Sequence, residues 1–284
     1  MSISRAEITH FPKKSSLRIK DKLIDLGSPK VMGIINATPD SFFASSRKTT
    51  VKDVLKSAEK MILEGADIID LGAYSSRPGA EFVDEKTELE RLVEPLKELR
   101  KEFPHTLISL DTFRSKVAKQ GIQLGVDIIN DIGAFDLDKK MIDVIAETGI
   151  AYILMHGASN LKKMHNSAVN EDIFRDICYF FSNKINILKE KGITEIIIDP
   201  GFGFGKSIEQ NHQLINQLEM LEILNLPILA GISRKSMIYK KLGINSDESL
   251  NGTTVLNTLA ILRGAAILRV HDVKEAKQII DLLS

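Results

Sequence analysis

The sequence predicts an α/β fold, a single closed (β/α)8 barrel, and three observations carry that prediction. Short, nearly continuous apolar runs alternate with longer amphipathic stretches along the 284 residues. Such runs, bounded by turn residues, suit strands buried on both faces, as in parallel sheets. Glycines stand where helices should stop before a strand, at Gly65, Gly125, Gly149, Gly192 and Gly264. Strand–helix units repeated roughly eight times fit one barrel of about 250 residues better than two separate domains. An open doubly wound sheet would usually show a glycine-rich dinucleotide loop after its first strand, and Asn36–Phe43 is not one.

In chain order, Leu17–Ile19 and Leu23–Leu26, joined around Lys20–Lys22, read as a small hairpin closing the barrel bottom. Residues 1–30 are thus an N-terminal extension, 31–284 the barrel, and 1–284 one domain. The first strand is expected at Val31–Ile35 and the first helix at Val51–Glu64. Strands Asp67–Leu71 and Leu107–Leu110 flank a helix at Glu85–Lys101. Helix Ser115–Leu124 leads to strand Val126–Ile129, and helix Lys139–Glu147 to strand Ala151–Met155. A long helix at Glu171–Lys191 precedes strand Ile193–Ile198, and Glu209–Ile223 precedes Pro227–Ile232. Helix Leu250–Leu262, strand Ala265–Val270 and helix Val273–Leu283 finish the pattern.

Composition narrows the function classes. The 38 basic and 38 acidic side chains cancel, so the basic excess usual in nucleic-acid binders is missing. Tryptophan is absent and aromatics are only 6%, which argues against stacking on bases. No apolar run approaches the roughly 18 residues that cross a bilayer, and Met1–Pro12 carry no apolar leader core. The single cysteine, Cys178, excludes an internal disulfide and a cysteine metal cluster. It shares an apolar helix face with Ile177 and Phe181 and reads as core. The expectation is a cytoplasmic protein without nucleic-acid or membrane partners.

In a barrel, active sites lie at the C-terminal ends of the strands. Here nearly every strand ends in a polar or charged group. The first ends in Asn36, and the second runs into Ser76-Arg77-Pro78. The third ends in Asp111, the fourth in Asn130-Asp131, the fifth in His156 and the sixth in Asp199. The seventh leads to Ser233-Arg234-Lys235-Ser236 and the eighth to Arg269-Val270-His271-Asp272. Asp131 and Asp272 are read as ordinary turn formers or caps. The others converge on one mouth in two halves. Asp111, Asn130 and Asp199 offer carboxylates and an amide to a flat, nitrogen-rich heterocycle, and Lys235 could meet its ring carbonyl. Arg269, His271, Asn36 and Arg77 suit a phosphate or diphosphate, with Asn36 lending an oxygen to a hydrated Mg2+.

Two features are set aside. Gly201-Phe202-Gly203-Phe204-Gly205-Lys206-Ser207 approaches a phosphate-binding loop, but Pro200 stands where its first glycine belongs. Lys206 stands where a dinucleotide loop has its third glycine, so a flexible strand–helix loop is expected instead. His156, His165 and His212 lack a metal-ligand spacing.

At these residues the sequence resembles the dihydropteroate synthase family, from about Val31 to Val273. Met32-Gly33-Ile34-Ile35-Asn36-Ala37-Thr38-Pro39-Asp40-Ser41-Phe42 resembles its first signature. Asp67-Ile68-Ile69-Asp70-Leu71-Gly72 through Ser75-Ser76-Arg77-Pro78-Gly79-Ala80 resembles its second. Ser109-Leu110-Asp111-Thr112, Ile128-Ile129-Asn130-Asp131, the Asp199–Lys206 stretch, Ser233–Ser236 and Arg269–Asp272 follow in the family's order. The resemblance implies a Mg2+-dependent, cytoplasmic, homodimeric transferase of folate biosynthesis. It would join 6-hydroxymethyl-7,8-dihydropterin diphosphate to p-aminobenzoate, the substrate that sulfonamides mimic. By motif position, Asp111, Asn130, Asp199 and Lys235 would hold the pterin, Asn36 the Mg2+, and Arg269 and His271 the diphosphate. Arg77, Lys235, Arg269 and His271 would assist the chemistry. Ser76 takes the place of the family's usual threonine, and Phe42, Pro78 and Ser236 would shape the p-aminobenzoate site. The first loop departs from the usual Ser-Asp-Gly-Gly, continuing Phe43-Ala44-Ser45-Ser46-Arg47-Lys48, and Tyr74 stands where the second often has glutamate. The other readings are a noncatalytic pterin-binding paralogue and a barrel that passes a methyl group from a folate to a corrinoid protein.

Overall fold

The structure is a computed structural model that describes residues 16–37, 51–73, 83–157 and 172–284. β1 (Ser16–Ile19) and β2 (Lys22–Asp25) pair antiparallel as the expected hairpin. Eight parallel strands then close a barrel in chain order. They are β3 (Lys30–Asn36), β4 (Ile68–Gly72), β5 (Leu107–Asp111), β6 (Ile128–Asp131), β7 (Ala151–Met155), β8 (Ile196–Asp199), β9 (Ile228–Ala230) and β10 (Ala265–Val270). Pairing of β10 with β3 completes the circle.

The helices are α1 (Val51–Leu63), α2 (Glu85–Glu102), α3 (Ser115–Gln123), α4 (Met141–Thr148), α5 (Ile173–Glu190), α6 (Ile208–Asn216), α7 (Ser236–Leu242), α8 (Leu250–Leu262) and α9 (Val273–Leu283). Local chemistry fixes their ends. Asp84 accepts from Thr87 N at 2.7 Å to start α2, and Ser207 and Gln210 cap α6 reciprocally.

Because strand side chains alternate, each strand feeds two cores. Outward residues such as Ile69, Leu110 and Tyr152 are buried with Val54, Leu92 and Ile177 from the helices. Inward residues Met32, Ile68, Ile128, Ile153, Ile197, Leu229 and Ile267 fill the lower barrel, and Leu17 and Ile19 of the hairpin pack among them. The hairpin therefore plugs the bottom. Each buried aliphatic side chain of this size stabilises the fold by ~1.5–3 kcal/mol. Lys20 Nζ, 2.5 Å from Asp127 Oδ1, ties the hairpin turn to the residue before β6.

Several boundaries differ from expectation for identifiable reasons. β6 and β8 begin later than their apolar runs. Val126 N donates to Gly121 O at 3.1 Å and Ile193 N to Leu188 O at 3.0 Å, each just past a left-handed glycine. Both apolar residues thus close the preceding helix rather than open the strand. The helix expected over Glu209–Ile223 stops at Asn216 and gives way to a 3-10 segment, Leu218–Leu224. Its buried residues, Leu218 and Leu221, are three apart, the period of a 3-10 turn. Only β9, three residues long, occupies the run Pro227–Ile232. α7 was not anticipated; it is seven residues long and buries only Met237 and Ile238, too little to leave a periodic signal.

Candidate active site

Parallel register brings the polar strand ends to one level at the C-terminal mouth. Asn36 lies opposite Gly72, Gly72 opposite Asp111, and Asp111 opposite Asn130. Arg269 reaches past β3 from β10 to residues of β4 and β5. Its Nε donates to Asp70 Oδ2 and its Nη2 to Asp111 Oδ2, both at 2.7 Å. Asn130 Nδ2 donates to the same Asp70 oxygen at 3.2 Å. Asp70, Asn130 and Asp199 are buried, while Asp111 and Arg269 keep part of their side chains open to the mouth.

On the other side, Asp199 Oδ1 accepts from Gly201 N at 2.8 Å. Lys235 Nζ donates to Phe202 O at 2.5 Å and lies 4.4 Å from the centre of the Phe204 ring. Gly231 marks the point of convergence. A Cβ placed there would lie 3.8 Å from Lys235 Nζ, 3.9 Å from Asp199 Oδ2 and 4.0 Å from Arg269 Cβ. Phe113, Ile132, Met155, Leu137 and Phe204 form a separate apolar cluster from the segments that end or follow β5, β6, β7 and β8. An aromatic ring plane could rest on such a wall.

Burial dominates the electrostatics. It pushes the Asp111 carboxyl up to about 7 against the pull of Arg269, with Asp70 adding in the same direction as burial. Burial also raises Asp199, opposed by Lys235, and lowers Lys235 to about 8, opposed by Asp199. Arg269 behaves differently, because Asp70 and Asp111 outweigh its burial and hold its proton more firmly than usual.

Arg269, expected in the basic half, contacts the carboxylates of Asp70 and Asp111 directly. His271 stays near Ser233, whose Oγ lies 3.2 Å from His271 Nδ1 and accepts from His271 N at 3.2 Å. Ser236 opens α7 beside Lys235. Arg234 turns away with a φ of 56° and grips Asp272 at 2.9 and 2.8 Å. Asp272 is therefore an ion-pair partner whose side chain does not cap α9. Asp131 is a turn former as expected, accepting from Gly133 N, Phe135 N and the Tyr152 hydroxyl at 2.7, 2.8 and 2.7 Å. Cys178 is half-buried against the core, and burial raises its thiol.

The loop expected to be flexible, after β8, is tied at many points. Asn211 Oδ1 accepts from Gly203 N at 2.7 Å, and Lys206 is buried among carbonyl oxygens of the same loop. Sequence reading also missed Asp70, which joins Arg269 to Asn130. Its signal was a carboxylate inside an otherwise apolar run, Ile68-Ile69-Asp70-Leu71. Phe42, Ser76, Arg77, Pro78, Tyr74, His165 and the Phe43–Lys48 stretch lie outside the described residues. Among the described residues there is no group of three His, Cys, Asp or Glu side chains placed to hold a metal, and no helix long and apolar enough to cross a membrane.

Comparison with known proteins shows the family. The family described as pterin binding enzyme matches residues 32–271. A dihydropteroate synthase of Escherichia coli (strain K12) is 39% identical over 254 residues, covering 89% of each chain. A crystal structure of Xanthomonas albilineans dihydropteroate synthase with 4-aminobenzoic acid superposes with a TM-score of 0.88 at 33% identity, covering 95% of this chain and 97% of that one. The Yersinia pestis enzyme in a sulfonamide drug complex gives 0.87 at 36% identity, covering 94% and 98%.

Proposed function

The chain belongs to the pterin-binding enzymes and matches their dihydropteroate synthase branch along most of its length, and from that premise we propose how its residues perform that reaction. The reaction condenses 6-hydroxymethyl-7,8-dihydropterin diphosphate with p-aminobenzoate, giving 7,8-dihydropteroate and diphosphate. Asp111, Asp199 and Asn130 bind the donor and acceptor edges of the pterin, and Lys235 meets its ring carbonyl. The observation that carries this assignment is the meeting of Arg269 with both Asp70 and Asp111 opposite the Asp199–Lys235 pair. A flat ring seated between them finds carboxylates at one edge and a cation at another.

The bond from the exocyclic methylene to the diphosphate oxygen breaks first, and its electron pair leaves with the diphosphate. Arg269 Nε and Nη2 serve the carboxylates, which leaves Nη1 for the departing anion. His271, Ser76 and Arg77 add donors there. The ring then carries positive charge, which Asp111 and Asp199 favour electrostatically. The p-aminobenzoate nitrogen, oriented by Phe42, Pro78 and Ser236, attacks the methylene and then gives up a proton. No protein nucleophile takes part.

Asn36 fits a Mg2+ site of a particular kind. A single half-buried amide oxygen, with no acidic cluster among the described residues, suits a hydrated ion held mainly by phosphate oxygens. When bound, Mg2+ supplies positive charge that lowers the cost of diphosphate departure.

The chain is one domain, works in the cytoplasm and pairs as a homodimer through its barrel helices. Supporting the dimer are Ile223, Leu242, Val255 and Leu262, large apolar residues more than half exposed on the 3-10 segment, α7 and α8. Light scattering of the dimer should read twice 31.6 kDa. The test of the site is calorimetry of pterin binding. Asp111→Asn should weaken it by about 10²-fold, as loss of a buried charged partner does. Unchanged affinity would overturn the assignment.

A further inference from the structure

Lys206, buried, and His156, half-buried, are polar groups at the mouth that the reaction above does not use. Lys206 follows the glycine-rich stretch after β8 and is buried. It donates to Gly201 O at 2.9 Å, to Phe204 O at 3.1 Å and to His156 Nδ1 at 2.9 Å. An ammonium has three hydrogens and no lone pair, so these three nearest acceptors satisfy it, and the His156 carbonyl oxygen stands farther off at 3.4 Å. His156 must then be neutral, with its own proton on Nε2. Burial and the neighbouring Lys206 charge both press its pKa down, to about 3. Burial likewise lowers Lys206 to about 7, opposed by Asp199.

The loop around this ammonium leaves little freedom elsewhere. Gly201 has a φ of 69°, and a Cβ there would overlap the His156 carbonyl oxygen. His156 N donates to Asp199 O at 2.8 Å, so the end of β7 holds the start of the loop. Asn211 holds its middle through Gly203 N and its end through Lys206 O and Ser207 O. The Lys235 ammonium meets two groups of this loop, the Phe202 carbonyl and the Phe204 ring.

We propose that Lys206, with His156 as its third acceptor, is a positioning residue that folds the Pro200–Lys206 loop into the shape that fixes the Lys235 ammonium over the pterin site. Its cation acts inward, as the centre of the loop, and touches neither substrate. The inference rests on the assignment of Lys235 to the pterin, and a mutant cycle tests the two separately.

The probe is 6-hydroxymethylpterin, measured by calorimetry on the unmutated chain, Lys206→Met, Lys235→Met and the double variant. Lys206→Met should weaken binding about tenfold in the unmutated background, the scale of a lost buried charged hydrogen bond. In the Lys235→Met background the same change should cost less than about twofold, because its route of action is gone. Equal factors in both backgrounds would overturn the inference while leaving Lys235 a pterin ligand. Full pterin affinity in Lys235→Met would remove the premise and the inference together. Should Lys206→Met fail to fold, His156→Leu deletes one acceptor and leaves the cation. It should weaken binding about threefold in the unmutated background only, and His156→Gln, which keeps an acceptor, should restore it. Loss in both backgrounds, or no loss, would overturn the inference.

Discussion

Arg269 Nη2 lies 2.7 Å from Asp111 Oδ2, although 158 residues separate the two in the chain. The barrel makes that distance short by setting β10 and β5 three strands apart around one mouth. The pair neutralises a carboxylate that burial would otherwise push further toward its protonated form. In the proposed reaction it also holds the guanidinium in place for the departing anion.

Arg269→Ala should therefore separate turnover from binding. Loss of one preorganised cation at a developing charge costs about 10²–10³ in kcat. Affinity for a pterin without diphosphate should fall much less. Steady-state kinetics beside calorimetry check this, and equal losses in both would count against the role of Arg269 at the leaving group.

Asp70 anchors both Arg269 and Asn130 through one carboxylate oxygen. Asp70→Asn keeps the shape and removes one of the two charges on Arg269. The expected result is about a 10–100-fold drop in kcat/KM with folding intact, the scale of a lost orienting partner. A variant with full activity would mean that Asp111 alone positions Arg269.

Lys235 gives the pH dependence a definite sign. Its ammonium, lowered to about 8, is charged below that pH and neutral above it. In the proposed role the charged form donates to the pterin carbonyl, so kcat/KM should fall as pH rises through about 8. Lys235→Arg keeps its charge throughout this range and should lack the alkaline limb, at lower overall activity. An alkaline limb that persists in this variant would assign it to another group.

Leu17 tests the barrel bottom, far from the chemistry. It is 2% exposed and packs with the lower barrel core. Leu17→Ala should cost ~2–4 kcal/mol in denaturant unfolding. KM for both substrates should stay unchanged. An altered KM would show that the plug influences the mouth.

The barrel was legible because strands buried on both faces leave unbroken apolar runs, and because the helices before most strands end in a left-handed glycine. The runs misled at Val126 and Ile193, where the first apolar residue closes a helix, and at Pro227–Ile232, where only Ile228–Ala230 is strand. α7 left no pattern because so short a helix buries only two side chains. In the site, Asp111, Asn130 and Asp199 were readable as polar groups ending apolar strands. Asp70 was not, because it sits within its strand rather than at the end. The partner of Asp272 was equally hidden, since only the turn at Arg234 brings the two together.

The most direct measurement is diphosphate release by the purified protein, given the pterin diphosphate and Mg2+, with and without p-aminobenzoate. Release that depends on the arylamine and matches the rise in 7,8-dihydropteroate is the result expected of this site. Pterin binding with no product would contradict it, and would mean that the pocket survives without its chemistry.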